Sequence, residues 1–179
     1  MNKNIVISII IVIAVVGVIL VLANPFKSNP SNPSPVVTQG GQKIPEFELE
    51  DFNGQKVKIA SSSGKPIFID FWAAWCPFCV NEMPEIEKIH QEFGDRLIVL
   101  GIHRSETEGT DAGAKFAKER GVTYTLLKDS TGQVYKSLTG GQQFMPYALY
   151  ISKDGTIKKV KAGPKTADEI RAAVQELLQ

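Results

Sequence analysis

Ile5 to Ala23 (IVISIIIVIAVVGVILVLA) is an unbroken apolar run that carries no charge and has Ser8 as its sole polar side chain. At ~1.5 Å of rise per helical residue it spans roughly the hydrocarbon core of a bilayer, and it has no polar face to turn towards water. It therefore predicts a transmembrane helix rather than a core helix. Val21-Leu22-Ala23 has the small-residue character of a cleavage site, but the run exceeds the ~7–15 apolar residues of a secretory signal, so an uncleaved anchor over residues 1–23 is expected. From Asn24 to Lys43 (NPFKSNPSNPSPVVTQGGQK) the apolar pattern gives way to Pro, Ser, Asn and Gly, the composition of a tether. As a flexible coil it would reach ~25 Å.

From residue 44 to residue 179 the pattern alternates between strand and helix periods, which predicts an α/β layer architecture. Ile44 to Ile59 reads as two short alternating runs around Asn53-Gly54, a hairpin. Pro66 to Trp72 (PIFIDFW) is apolar on both faces, as a central strand should be. Cys76 to Phe93 places Cys79, Glu82, Ile86, Ile89 and Phe93 on one helical face, with Pro84 as an expected kink. Arg96–His103 and Thr123–Leu127 read as strands, and Asp111–Arg120 as a helix closed by Gly121. Tyr147–Ser152 and Thr156–Lys161 form a second hairpin about Lys153-Asp154-Gly155, and Thr166–Glu169 is a capping box opening a last amphipathic helix.

Charge narrows the function classes. The formal net charge is +1, with 20 Lys and Arg against 19 Asp and Glu intermixed, so the chain lacks the one-signed field that nucleic-acid binding needs. Lys3 before the apolar run and Lys27 after it give only a slight positive-inside bias. A short N-terminal tail ahead of a single span still points to an extracytoplasmic soluble part, where no lone cysteine is left to oxidise.

Cys76 and Cys79 are the only cysteines. Zinc would need His90 and His103 as further ligands, and their spacing fits no common finger. As a staple, a bridge closing so short a loop removes little unfolded-state entropy. A redox centre accounts for the surroundings. A buried strand leading into a helix that begins near Cys76 sets that sulfur against free N–H groups and the positive end of the helix dipole, which favour a thiolate. Pro77 suits the first helical position, and Cys79, a turn further on, is placed to resolve a mixed disulfide on Cys76. Asp70 stands in an otherwise apolar strand, where desolvation raises a carboxyl pKa and fits it to relay a proton with Cys79. Glu82 lies on the Cys79 face of its helix and could share that role or remain a solvated carboxylate. Trp75, Pro77 and Phe78 form an apolar rim on which a substrate would rest.

WCPFC after a buried strand, the helix proline Pro84 and the late Met145-Pro146 before a hairpin resemble the thioredoxin superfamily. With the apolar N-terminal run, the first hairpin, CxxCxxEMP and the inserted helix and strand between Gly101 and Leu127, the chain is similar to TlpA/ResA-like membrane-anchored thiol-disulfide oxidoreductases. The resemblance implies a three-layer sandwich with a central mixed sheet and helices on both faces. It implies Cys76 as attacking and Cys79 as resolving thiol, Glu82 and Asp70 as active-site carboxylates, and no cofactor beyond the disulfide itself. Pro146 matches the family's cis-proline, beside which the backbone of Met145 would pair with an extended protein substrate. Thiol- or disulfide-bearing proteins such as apocytochrome c, and a CcdA/DsbD-type membrane electron donor, are the partners it suggests, at a bacterial or archaeal cell membrane. Phe78 immediately before the second cysteine departs from many TlpA-like members, so an oxidising direction stays open. A peroxiredoxin-like thiol peroxidase and a non-enzymatic peptide-binding module stay open as well; against the peroxidase, Ala73 occupies the place where a peroxidatic cysteine usually has Thr or Ser.

Overall fold

The structure, a computed structural model, describes residues 40–60 and 63–179. The expected span over residues 5–23 and the tether as far as residue 39 lie outside the described residues, among which no helix is long and apolar enough to cross a membrane.

Seven strands form one mixed sheet in the order β2-β1-β5-β4-β3-β6-β7. They are β1 (Phe47–Asp51), β2 (Lys56–Ile59), β3 (Ile67–Trp72), β4 (Ile98–His103), β5 (Thr125–Lys128), β6 (Tyr147–Ile151) and β7 (Ile157–Ala162). The helices are α1 (Pro77–Phe93), the single turn α2 (Ser105–Glu108), α3 (Thr110–Arg120), α4 (Gln133–Thr139) and α5 (Ala167–Leu177). β3 lies parallel to β4 and antiparallel to β6, and all six of its residues are buried, as its doubly apolar sequence requires. The first hairpin turns where Asp51 Oδ1 accepts the N–H groups of Asn53 and Gln55 at 2.8 Å each. Gly41 donates its N–H to Ile157 O at 2.8 Å and Lys43 bridges Thr156, so the chain is already paired with the sheet edge there.

Alternation along β3 divides the core between the two faces. Phe68 and Trp72 point into the cluster built with Cys79, Met83, Ile86 and Ile89 of α1 and Ile170 and Val174 of α5. Ile67, Ile69 and Phe71 point the other way, onto Val134, Tyr135 and Leu138 of α4. Asp70, in register with Phe68 and Trp72, is thereby committed to the α1 face. α1 continues unbroken through Pro84, and α5 begins with the expected reciprocal capping box between Thr166 and Glu169.

Candidate active site

β3 ends at Trp72, and the loop Ala73–Trp75 turns the chain into α1. Cys76 is the N-cap of that helix, with extended backbone (φ −92°, ψ 102°), and Pro77 follows at the first helical position. Cys76 and Cys79 are joined in a disulfide, and Cys76 Sγ accepts the N–H of Cys79 at 3.2 Å. The sulfur thus takes a first-turn amide at the positive end of a 17-residue helix. Cys76 is only 3 % exposed and Cys79 is fully buried. The flanking apolar side chains are not: among the described residues Trp75, Phe78 and Phe144 are the large hydrophobic residues most open to solvent, at 52, 56 and 61 %. Met145–Pro146 is a cis peptide, and Met145 packs against the cluster that contains both cysteines.

On the α1 face of β3 lie both predicted carboxylates and one residue that the sequence pattern did not reveal. Asp70 is 1 % and Glu82 4 % exposed, which settles Glu82 as buried rather than solvated. Between them lies the ammonium of Lys165, from the loop joining β7 to α5, 2.9 Å from Asp70 Oδ1 and 2.6 Å from Glu82 Oε2. Glu82 Oε1 also accepts the backbone N–H of Lys165 at 2.5 Å. Burial pushes both carboxyl pKa values up, with Lys165 opposing the rise. Burial alone would lower the Lys165 pKa, but its two carboxylate partners hold it above the usual value. One ammonium between two carboxylates makes a neutral set only when one carboxyl keeps a proton. Asp70 Oδ2 is buried with no hydrogen-bond partner among the described residues, and Glu82 Oε2 makes only the ion-pair contact.

His90, on α1, has its ring near Tyr124 and an unpartnered Nδ1; His103 is fully buried at the end of β4. Neither joins the cysteines, and among the described residues there is no group of three side chains suited to hold a metal ion.

This arrangement, a CxxC disulfide capping a helix beside a cis-proline loop on a mixed sheet, defines a thioredoxin-fold thiol-disulfide oxidoreductase. Residues 40–160 match the AhpC/TSA family, and the chain belongs to it. It is 29 % identical over 135 residues to the thioredoxin-like protein YneN of Bacillus subtilis, covering 74 % of this chain and 76 % of that one. It is 28 % identical over 140 residues to the thiol-disulfide oxidoreductase ResA of Geobacillus thermodenitrificans, covering 76 and 77 %. The crystal structure of a secreted Mycobacterium tuberculosis disulfide oxidoreductase homologous to Escherichia coli DsbE superposes with a TM-score of 0.64 at 25 % identity, covering 73 % of this chain and 96 % of that one.

Proposed function

We propose that the chain is a membrane-anchored, extracytoplasmic reductase of disulfides in secreted proteins, with apocytochrome c cysteines as a fitting substrate class. The observation that carries the direction is the pair of buried carboxylates, matched by a single ammonium, on Asp70 of β3 and Glu82 of α1, the two elements whose apolar side chains build the cluster with both cysteines. Reducing the disulfide puts negative charge on sulfur beside groups that already hold it, which favours the oxidised form and makes the dithiol a strong electron donor. The Cys76 thiolate attacks a substrate disulfide, forming a mixed disulfide and releasing one substrate thiolate. The Asp70–Lys165–Glu82 set then accepts the proton of Cys79, whose sulfur attacks Cys76 and expels the second substrate thiolate. Two electrons have passed to the substrate, and the Cys76–Cys79 disulfide is left for a membrane dithiol donor of the CcdA/DsbD type to reduce. Trp75, Phe78 and Phe144 supply an apolar landing surface for an unfolded chain, and the Met145 backbone supplies the strand-like pairing. Anchoring rests on the apolar run over residues 5–23.

The test is a redox titration of the Cys76–Cys79 couple against glutathione and dithiothreitol, paired with an insulin-reduction assay. A potential at or below roughly −250 mV is expected, whereas one near about −120 mV would reverse the assigned direction. Cys76→Ser should abolish exchange, and Cys79→Ser should accumulate mixed disulfides visible by mass spectrometry. Equal turnover by Cys76→Ser would sink the mechanism.

A further inference from the structure

A second carboxylate site, separate from Asp70 and Glu82, occupies the short segment His103–Glu108. The His103 ring is fully buried, tilted against Trp72 at 4.6 Å and Phe52 at 5.7 Å. Gly113 of α3 lies so close to the imidazole that a Cβ there would collide with it. Both ring nitrogens are used: Nδ1 is 2.7 Å from Ser105 Oγ, and Nε2 is 2.6 Å from Glu108 Oε1. Burial lowers the His103 pKa, with Glu108 opposing, so the arrangement that satisfies both contacts is a neutral ring donating from Nε2 and accepting from Ser105.

Glu108 then reaches the loop that carries the nucleophile. Its Oε1 accepts the N–H of Ala74 at 2.6 Å and its Oε2 that of Trp75 at 3.2 Å. Next to it, Thr107 Oγ1 accepts the indole N–H of Trp75 at 2.9 Å. The same segment extends to the cis-proline loop, because the Arg104 guanidinium lies 3.9 Å over the Tyr135 ring and Tyr135 donates its hydroxyl to Phe144 O at 2.9 Å. An exposed loop would ordinarily leave the Ala74 and Trp75 amides to water. Here a carboxylate pinned by a buried histidine takes both, on the two residues that precede the attacking cysteine.

We propose that Glu108, locked in place by His103, is a positioning residue for the exchange reaction: it fixes the Ala74–Trp75 peptides and sets a negative charge on the Cys76 side of the disulfide, disfavouring the Cys76 thiolate. The inference rests on the dithiol-disulfide chemistry proposed above but not on its direction. A carboxylate bonded to the preceding amide competes with the helix N-terminus for control of the sulfur's charge, and in a partly water-excluded site that competition is not screened away.

The experiment compares wild type with Glu108→Gln, which keeps the size and one acceptor but removes the charge. The readouts are the Cys76 thiol pKa and the equilibrium dithiol + oxidised glutathione ⇌ disulfide + two reduced glutathione. The variant should show a lower Cys76 pKa and an equilibrium moved about tenfold towards the dithiol, which for a two-electron couple is about 30 mV. Glu106→Gln, which removes a neighbouring carboxylate bonded to Arg104 rather than to the loop, should move it less than about twofold. A wild-type pKa and equilibrium in a folded Glu108→Gln protein would overturn the proposal, as would an equal shift in both variants. If Glu108→Gln does not fold, amide hydrogen exchange of the wild type decides instead. Protection of Ala74 and Trp75 comparable with β3 supports the clamp, and exchange at the rate of free loop amides removes it. An oxidising wild-type couple would reverse the direction argued above and leave this comparison intact.

Discussion

Lys165→Met would take the ammonium from between Asp70 and Glu82 while keeping the length and apolar volume of the side chain. The Lys165 and Asp70 side chains are at most 1 % exposed and that of Glu82 is 5 % exposed, with contacts of 2.9 and 2.6 Å. At such separations each pair is worth ~6 kcal/mol with an effective dielectric of ~20, most of it offset by the desolvation of the ions. What the variant loses is the uncompensated remainder, ~3–5 kcal/mol, because two buried carboxylates are left without a cation. They escape by holding protons, so the loss must depend on pH. A carboxyl whose folded pKa is raised contributes most stability below its unfolded pKa and loses it as pH climbs towards the folded value. In the wild type Lys165 limits that rise; in the variant the rise is larger and the decline runs to higher pH. Once the pH is low enough to protonate both carboxyls, the wild type buries an ammonium with no anion, so the difference should vanish or change sign. Lys165, whose own pKa is raised from 10.5, keeps its contribution through neutral pH and loses it only in strong alkali. Urea unfolding of the oxidised proteins at intervals between pH 4 and pH 8 reads the curve directly. A stability difference that stays flat across that range would show that Lys165 serves only as packing and would refute the charge argument.

Gly101→Ala should destabilise by ~1–3 kcal/mol in thermal or urea unfolding, since its Cβ would stand 2.6 Å from a Leu126 methyl, 2.9 Å from the Tyr124 ring and 3.2 Å from the Trp72 indole nitrogen; an unchanged midpoint would mean that those three side chains can retreat together. Phe144→Ser removes the most exposed of the three rim hydrophobics without touching the sulfurs or the buried charges. The expected outcome is a KM several-fold higher for a protein disulfide, with little change towards glutathione, and a parallel loss with both substrates would refute its role as a protein-docking contact.

The elements legible in advance were those whose pattern repeats enough to be counted. β3 announced itself by five apolar or aromatic positions around one aspartate, and α1 by its recurring apolar face. α4 went unread because QVYKSLT covers only two turns between glycines with left-handed backbone, too short for periodicity to outweigh its polar residues. α2 is a single turn and carries no period at all. The site divides in the same way. Cys76, Cys79, Asp70 and Glu82 share a short stretch of chain, so their spacing shows. Lys165 is 95 positions from Asp70, in a Gly-Pro-Lys-Thr corner that reads as an ordinary loop. One signal did point to it: an aspartate forced into an apolar strand needs a cation, and the search for one was open from the sequence. Glu108 offered no such hint, because its partners are backbone amides, which no residue pattern records.

The two outer strands of the sheet carry a further consequence. β2 presents Lys56 and Lys58, and β7, whose first residue is covered by the Gly41–Lys43 segment, presents Lys158 and Lys159 beyond it, all solvent-exposed, at the two edges of the strand order. An enzyme whose proposed substrates are unfolded polypeptides meets, at every encounter, chains ready to add themselves to any open sheet. Lysines on both borders make such additions unfavourable, since an invading strand would have to cover exposed ammonium groups, two of them in surface ion pairs of Lys56 with Glu48 and Lys58 with Glu46. Under the function proposed above, the Met145 backbone and its apolar surroundings are then left as the place for an extended chain to pair. On that reading the lysine borders serve as gatekeepers that keep the oxidoreductase from ageing into an aggregate with the chains it would act on.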